Sequence, residues 1–137
     1  NLKYEKKMYL EINNNEFKFK ISDIHVEIDM NVLGCNSKTL WNEIFNNLKD
    51  IEIIKKNYTL IILCKNFHSI NSELLDNFYS YMQSKYYSNI RFKFFLITSH
   101  LSFIPNNILN ICKIINIGRP TKSLYKKCLN KNINCNL

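Results

Sequence analysis

Glycine and proline are scarce in this sequence, with only two of each. Phosphate-binding loops need glycines so that backbone N–H groups can close around the phosphates, and neither G-x-x-x-x-G-K-[ST] nor G-x-G-x-x-G occurs. Gly34 precedes a predicted helix, whose N-terminus favours an anion, but a turn glycine is the simpler interpretation. The sequence therefore indicates neither of the common phosphate-binding loops.

Long apolar runs are also absent. None approaches the ~20 residues of a membrane-spanning helix. The charged residues Lys3, Glu5, Lys6 and Lys7 are not followed by the apolar segment of a signal peptide. We therefore expect an intracellular protein without membrane contact. The abundance of Asn, Lys, Ile and Tyr points to an AT-rich genome.

Cysteine pairs at redox or metal-binding spacing are missing. The chain has five cysteines, an odd number without a C-x-x-C pair, which argues against a disulfide framework and a zinc ribbon. Without a C-x-x-C pair the sequence lacks the ligand spacing typical of zinc sites, so we predict no metal. We expect reduced, mostly buried thiols at Cys35, Cys64, Cys112, Cys128 and Cys135.

Acidic side chains are absent from residues 84–137, which hold nine basic ones. Residues 1–83 hold ten basic and eleven acidic side chains, so the net charge of +8 arises entirely from the last part of the chain. A segment of one sign attracts polyanions and makes their binding salt-dependent. A solvated lysine-rich face has the same composition, so charge alone leaves both interpretations open.

Three histidines are candidate acid–base residues. His25 lies in a predicted strand, whereas His68 and His100 each follow one, at the strand ends where α/β proteins place their sites. Acid–base or nucleophilic catalysis also needs a partner held nearby, and neither of these two has a carboxylate beside it in the sequence. Loop residues without a catalytic role are the simpler interpretation.

Hydrophobic periodicity predicts that the first strands of the chain are antiparallel. Residues 7–12, 16–21 and 24–30 alternate apolar and polar side chains as half-buried strands do, with a hairpin turn at residues 13–15. The period then becomes helical, with Asn36 or Ser37 as the N-cap. The apolar face of this helix consists of Leu40, Trp41, Ile44, Phe45 and Leu48.

The rest of the chain alternates strands and helices. Residues 59–64 form a continuous apolar run, typical of a parallel strand buried on both faces. Residues 91–98 and 113–117 are predicted as further strands. Apolar residues at helical spacing, together with helix-breaking Gly and Pro residues, predict helices over residues 71–86, 105–110 and 120–130. This order predicts an α/β protein with a layered sheet and right-handed crossovers.

Three segments carry a family resemblance: ISDIHVEIDMNVLG at 21–34, IILCKNFHSINSELLDNFYSYMQ at 61–83 and FFLITSHLSFIPNNILNICKIINIGRPTKS at 94–123. In this order they resemble the small subunits of replication factor C, the clamp loaders of the AAA+ family. Segment 21–34 is similar to a family stretch with His25, Glu27 and Gly34 at like positions. Segment 61–83 is similar to the Walker B strand and its helix, and segment 94–123 resembles the sensor strand and the S-R-C motif.

The resemblance covers residues 7–125 and implies a fold. It implies a three-layer sheet of the AAA+ P-loop NTPase type with an antiparallel hairpin near the N-terminus, and no Walker A segment within the chain. Residues 1–118 would form a partial nucleotide-binding-like domain. Residues 119–137 would begin a helical lid or form a basic tail.

The family's ATPase motifs are altered in this sequence. Lys65 and Asn66 stand where the Walker B box of the family has Asp and Glu, and His68 stands at its last Asp. Ser99 occupies the sensor position, which is usually Asn. The resemblance therefore implies a degenerate nucleotide site.

The motifs that face the neighbouring subunit are altered as well. The S-R-C motif, whose Arg reaches the ATP of the next subunit, reads Asn110, Ile111 and Cys112. The paired arginines of the helix after the Walker B box are matched by Tyr79 and Ser80. Of these motif residues only the cysteine is kept.

These changes remove the chemistry that the family performs. Phosphoryl transfer needs a carboxylate-held Mg²⁺ and a positioned water, which Lys65 and Asn66 do not supply, and losing an arginine finger alone lowers the rate by ~10³–10⁵. We therefore expect no ATP hydrolysis and no cofactor in this chain. ATP and Mg²⁺ would be bound only by a full-length or neighbouring subunit.

The resemblance implies a non-catalytic clamp-loader subunit that helps to load a sliding clamp onto primer-template DNA. Its partners would be other clamp-loader subunits, the sliding clamp and DNA, in the nucleus or in a viral replication compartment of the host cytoplasm. The alternative is a stand-alone basic α/β module that binds nucleic acid or an acidic protein partner. The residues implied to contact DNA or a subunit are Lys85, Arg91, Lys93, Lys113, Arg119, Lys122, Lys126 and Lys127.

Overall fold

The computed structural model of the chain describes residues 6–12, 15–22, 24–50, 58–83 and 90–133. Its strands are β1 Lys6–Ile12, β2 Asn15–Ile21, β3 His25–Asp29, β4 Tyr58–Lys65 and β5 Ile90–Leu96. Its helices are α1 Met30–Leu33, α2 Ser37–Asp50, α3 Ser72–Gln83, α4 Asn106–Leu109 and α5 Lys122–Ile133. Short 3₁₀ turns lie at Gly34–Asn36 and Phe67–Ser69.

The strands form one mixed sheet in the order β1-β2-β3-β4-β5. The pairs β1/β2 and β2/β3 are antiparallel, whereas β3, β4 and β5 run parallel. The predicted α/β class and the antiparallel hairpin are therefore confirmed. Residues 13 and 14 of the predicted hairpin turn lie outside the described residues.

One face of the sheet carries the core, and we call it the helix-covered face. Parallel pairing sets Ile28 beside Cys64 and Val26 beside Ile62, and all four side chains are fully buried. Helix α2 packs on this face through Phe45, whose ring lies 5.0 Å from that of Phe92 on β5. Each large apolar side chain buried in this way contributes ~1.5–3 kcal/mol.

The helical periodicity located α2 correctly. All five apolar positions predicted for it are buried, at 3% exposure or less. Of the two N-cap candidates, Ser37 is wrong, because it is the first residue of α2 and its buried Oγ lacks a hydrogen-bond partner among the described residues, whereas Asn36 directly precedes the helix. A 3₁₀ turn at Gly34–Asn36 leads directly into α2.

Helix α3 at Ser72–Gln83 confirms most of the helix predicted over 71–86, and residues 84–86 lie outside the described residues.

The third predicted strand ends earlier than its pattern suggested. Residues 24–30 alternate in polarity, but the chain turns into α1 at Met30. The cause is the Asp29 side chain, which caps α1 by accepting a hydrogen bond from Asn31 N–H at 3.0 Å. Similarly, the strand predicted over 91–98 ends at Leu96.

The strand predicted over 113–117 is wrong. The structure has no strand there, and its isoleucines are exposed, Ile114 at 55%, Ile115 at 74% and Ile117 at 90%. Alternating or continuous apolar residues identify a strand only where a neighbouring strand supplies hydrogen bonds. No described strand pairs with this segment.

The second face of the sheet, which we call the open face, differs from the three-layer prediction. Ile61 and Leu63 are only half-buried there, and Phe95 is 53% exposed. Helix α5 is exposed over residues 122–129 and does not cover this face. Within the described residues the sheet is thus covered by helices on one face only.

No described helix is long and apolar enough to cross a membrane.

Candidate functional site

Parallel pairing brings four polar side chains together where β3 and β4 end. Asp29 and Lys65 are direct partners in the register, and Glu27 precedes Asp29 on the same face of the sheet. Asn66 follows β4 immediately. We call Glu27, Asp29, Lys65 and Asn66 the carboxyl-edge cluster. It lies at the end of the strands where α/β proteins place their sites.

The first contact in this cluster is an ion pair between Lys65 Nζ and Glu27 Oε1. The Lys65 side chain is 41% exposed and that of Glu27 is 20% exposed. Solvent screens a pair of this kind, so it contributes only ~0.2–1 kcal/mol to stability. Its main effect is electrostatic, because the lysine neutralises a carboxylate at the site.

The second contact joins Asn66 to Asp29. The amide nitrogen of Asn66 donates to both carboxylate oxygens, at 3.0 and 3.1 Å. Asp29 Oδ1 also accepts from Asn31 N–H at 3.0 Å. The Asn66 backbone is left-handed, with φ 50° and ψ 44°, a conformation that Asn tolerates better than most residues.

These contacts determine what the carboxyl-edge cluster can do. Both carboxylates are engaged by donors of the protein itself, and a lysine ammonium lies beside them. A magnesium ion bound here would have to displace Asn66 and tolerate the positive charge of Lys65. No group of three or more metal-ligating side chains exists among the described residues. The arrangement favours a structurally closed site over a Mg²⁺ site.

The two histidines predicted at strand ends do lie together. The ring centroids of His68 and His100 are 5.7 Å apart, and Ser99 bridges them. Ser99 N–H approaches His68 Nδ1 at 3.4 Å, and Ser99 Oγ lies 2.9 Å from His100 Nδ1. In the described part of the chain, no carboxylate hydrogen-bonds to either ring. An activated nucleophile needs its base oriented by a third group, so this trio lacks that element of a catalytic site.

His25 belongs to a turn at the opposite end of β3. Its Nδ1 pairs with Ser22 Oγ, and that hydroxyl also accepts from the backbone N–H groups of Ile24 and His25, at 3.3 and 3.1 Å. This histidine therefore orders the connection from β2 to β3.

The residues at the S-R-C position follow α4. Asn110 and Ile111 are exposed, whereas Cys112 is half-buried and packs against the core. Burial raises the pKa of the Cys112 thiol. On α3, Tyr79 packs against the core, and Ser80 is exposed.

The basic residues predicted to contact DNA are on the surface wherever the structure describes them. Arg91 and Lys93 lie on β5, and both side chains are exposed. Lys85 lies outside the described residues. The others, in the segment after α4 and in α5, are also exposed: Lys113, Arg119, Lys122, Lys126 and Lys127.

The expected burial of the cysteines is only partly correct. Cys64 is fully buried, Cys112 is half-buried, and Cys35 and Cys128 are exposed. All four are free thiols, and Cys135 lies outside the described residues.

Neither the protein-family models nor the curated proteins include a match to this chain.

Sequence reasoning missed the partners of Lys65 and Asn66. The alternation in His25–Asp29 places Glu27 and Asp29 on one face, which was a usable signal. The register between β3 and β4 was not available from the sequence, and it decides that these carboxylates meet Lys65 and Asn66.

Proposed function

We propose that this chain is a non-catalytic subunit of a sliding-clamp loader of the replication factor C type, acting in DNA replication by helping to load the clamp onto primer-template DNA. The observation that carries the proposal is the pairing of Lys65 with Glu27 and of Asn66 with Asp29. In the family that the sequence resembles, the positions of Lys65 and Asn66 supply the carboxylates of the ATPase. Here the same positions hold a cation and an amide whose polar groups bind other residues of the protein.

The closed cluster supports a structural role over an enzymatic one. Transfer of a phosphoryl group depends on metal ions that neutralise charge and on a residue that positions the nucleophile. Lys65 and Asn66 provide neither, and the nearby carboxylates are already hydrogen-bonded. A subunit of this kind would contribute its surface to the assembly and leave ATP hydrolysis to its neighbours.

The exposed basic residues support contact with DNA. Residues 90–133 contain no acidic side chain, and Lys122, Lys126 and Lys127 are exposed on α5. Each lysine that neutralises a phosphate releases counterions and makes binding depend on salt.

The test is co-purification of the full-length gene product with the other clamp-loader subunits and the sliding clamp of the same organism, followed by sizing. Stoichiometric entry into a pentamer supports the proposal. A chain that remains separate from every subunit contradicts it. The ATPase rate of the pentamer should be unchanged by Lys65→Met, because the residue does not take part in hydrolysis.

The exposed basic helix α5 favours a second candidate, a stand-alone module that binds nucleic acid. The test is titration of the isolated chain with labelled single- and double-stranded DNA at several salt concentrations. The triple variant Lys122→Glu/Lys126→Glu/Lys127→Glu should weaken binding and flatten the salt dependence. Binding without entry into a loader pentamer would favour this candidate.

A further inference from the structure

We draw no further inference here: the strongest candidate, the open face of the sheet around the exposed side chains of Arg91, Lys93 and Phe95 on β5, carries none because nothing in the structure shows what covers it.

Discussion

The side chain of Asn66 donates to both carboxylate oxygens of Asp29, at 3.0 and 3.1 Å, while its own backbone is left-handed at φ 50°. One residue thus joins the end of β4 to the end of β3. It also turns the chain from β4 into the 3₁₀ turn at Phe67–Ser69. Position 66 therefore requires both a side chain that donates to Asp29 and a left-handed backbone.

Substitution of Asn66 should separate these two requirements. Asn66→Ala loses both hydrogen bonds and strains the left-handed backbone, so we expect unfolding free energy to fall by ~1–3 kcal/mol. Asn66→Gly loses the same hydrogen bonds without the strain and should be more stable than Asn66→Ala by ~1 kcal/mol. Urea unfolding followed by circular dichroism measures both, with Asn42→Ala on the exposed face of α2 as control. Equal stability of the two variants would show that the backbone is not strained.

The ion pair between Glu27 and Lys65 should be weak. A double-mutant cycle with Glu27→Gln and Lys65→Met should give a coupling energy of ~0.2–1 kcal/mol, because the lysine side chain is 41% exposed and solvent screens the pair. Added salt should reduce it further. Urea unfolding of the four proteins at low and high salt tests this, and a coupling well above this range, unaffected by salt, would contradict the open geometry of the pair.

Trp41 should be the most sensitive position of the core. It is 1% exposed and its ring lies 5.0 Å from that of Phe78. Trp41→Ala should lower the unfolding free energy by ~3–5 kcal/mol through loss of packing. Trp41→Phe should lower the unfolding free energy by less, because it removes the buried indole N–H, which has no hydrogen-bond partner among the described residues. Because Trp41 is the only tryptophan, circular dichroism must follow the unfolding. Equal losses of unfolding free energy for Trp41→Ala and Trp41→Phe would contradict this prediction.

The cysteines should differ sharply in reactivity. Burial raises the pKa of the Cys64 thiol, whereas Cys35 and Cys128 are exposed. A pulse of iodoacetamide at mildly alkaline pH, read by peptide mass spectrometry, should modify the exposed pair first and leave Cys64 unmodified until urea unfolds the chain. Rapid labelling of Cys64 in the folded chain would contradict its burial.

The same thiol gives a pH dependence of stability. Its pKa is higher in the folded chain than in the unfolded one, so the unfolded state loses this proton first as pH rises. The unfolding free energy should therefore fall as pH rises above ~9. Cys64→Ala would lower stability at all pH values and reduce this alkaline decrease.

The candidate site was only partly predictable. The spacing of Lys65, Asn66 and His68 after an apolar strand identified the right edge of the sheet, because a buried strand followed by polar residues marks a strand end. Glu27 and Asp29 could not be assigned as their partners, since the pairing depends on the β3/β4 register. The meeting of His68 with His100 likewise depends on two loops that are far apart in sequence.

The sequence by itself determined the α/β class, the hairpin and the buried face of α2, because side-chain periodicity follows from local backbone geometry. Only the tertiary structure decided which strands found neighbours. The isoleucines of 113–117 are as apolar as those of β4, yet β4 is paired on both sides and they are exposed. The physical reason is that a strand is stable only when another backbone satisfies its hydrogen bonds, and sequence periodicity carries no information about that second backbone.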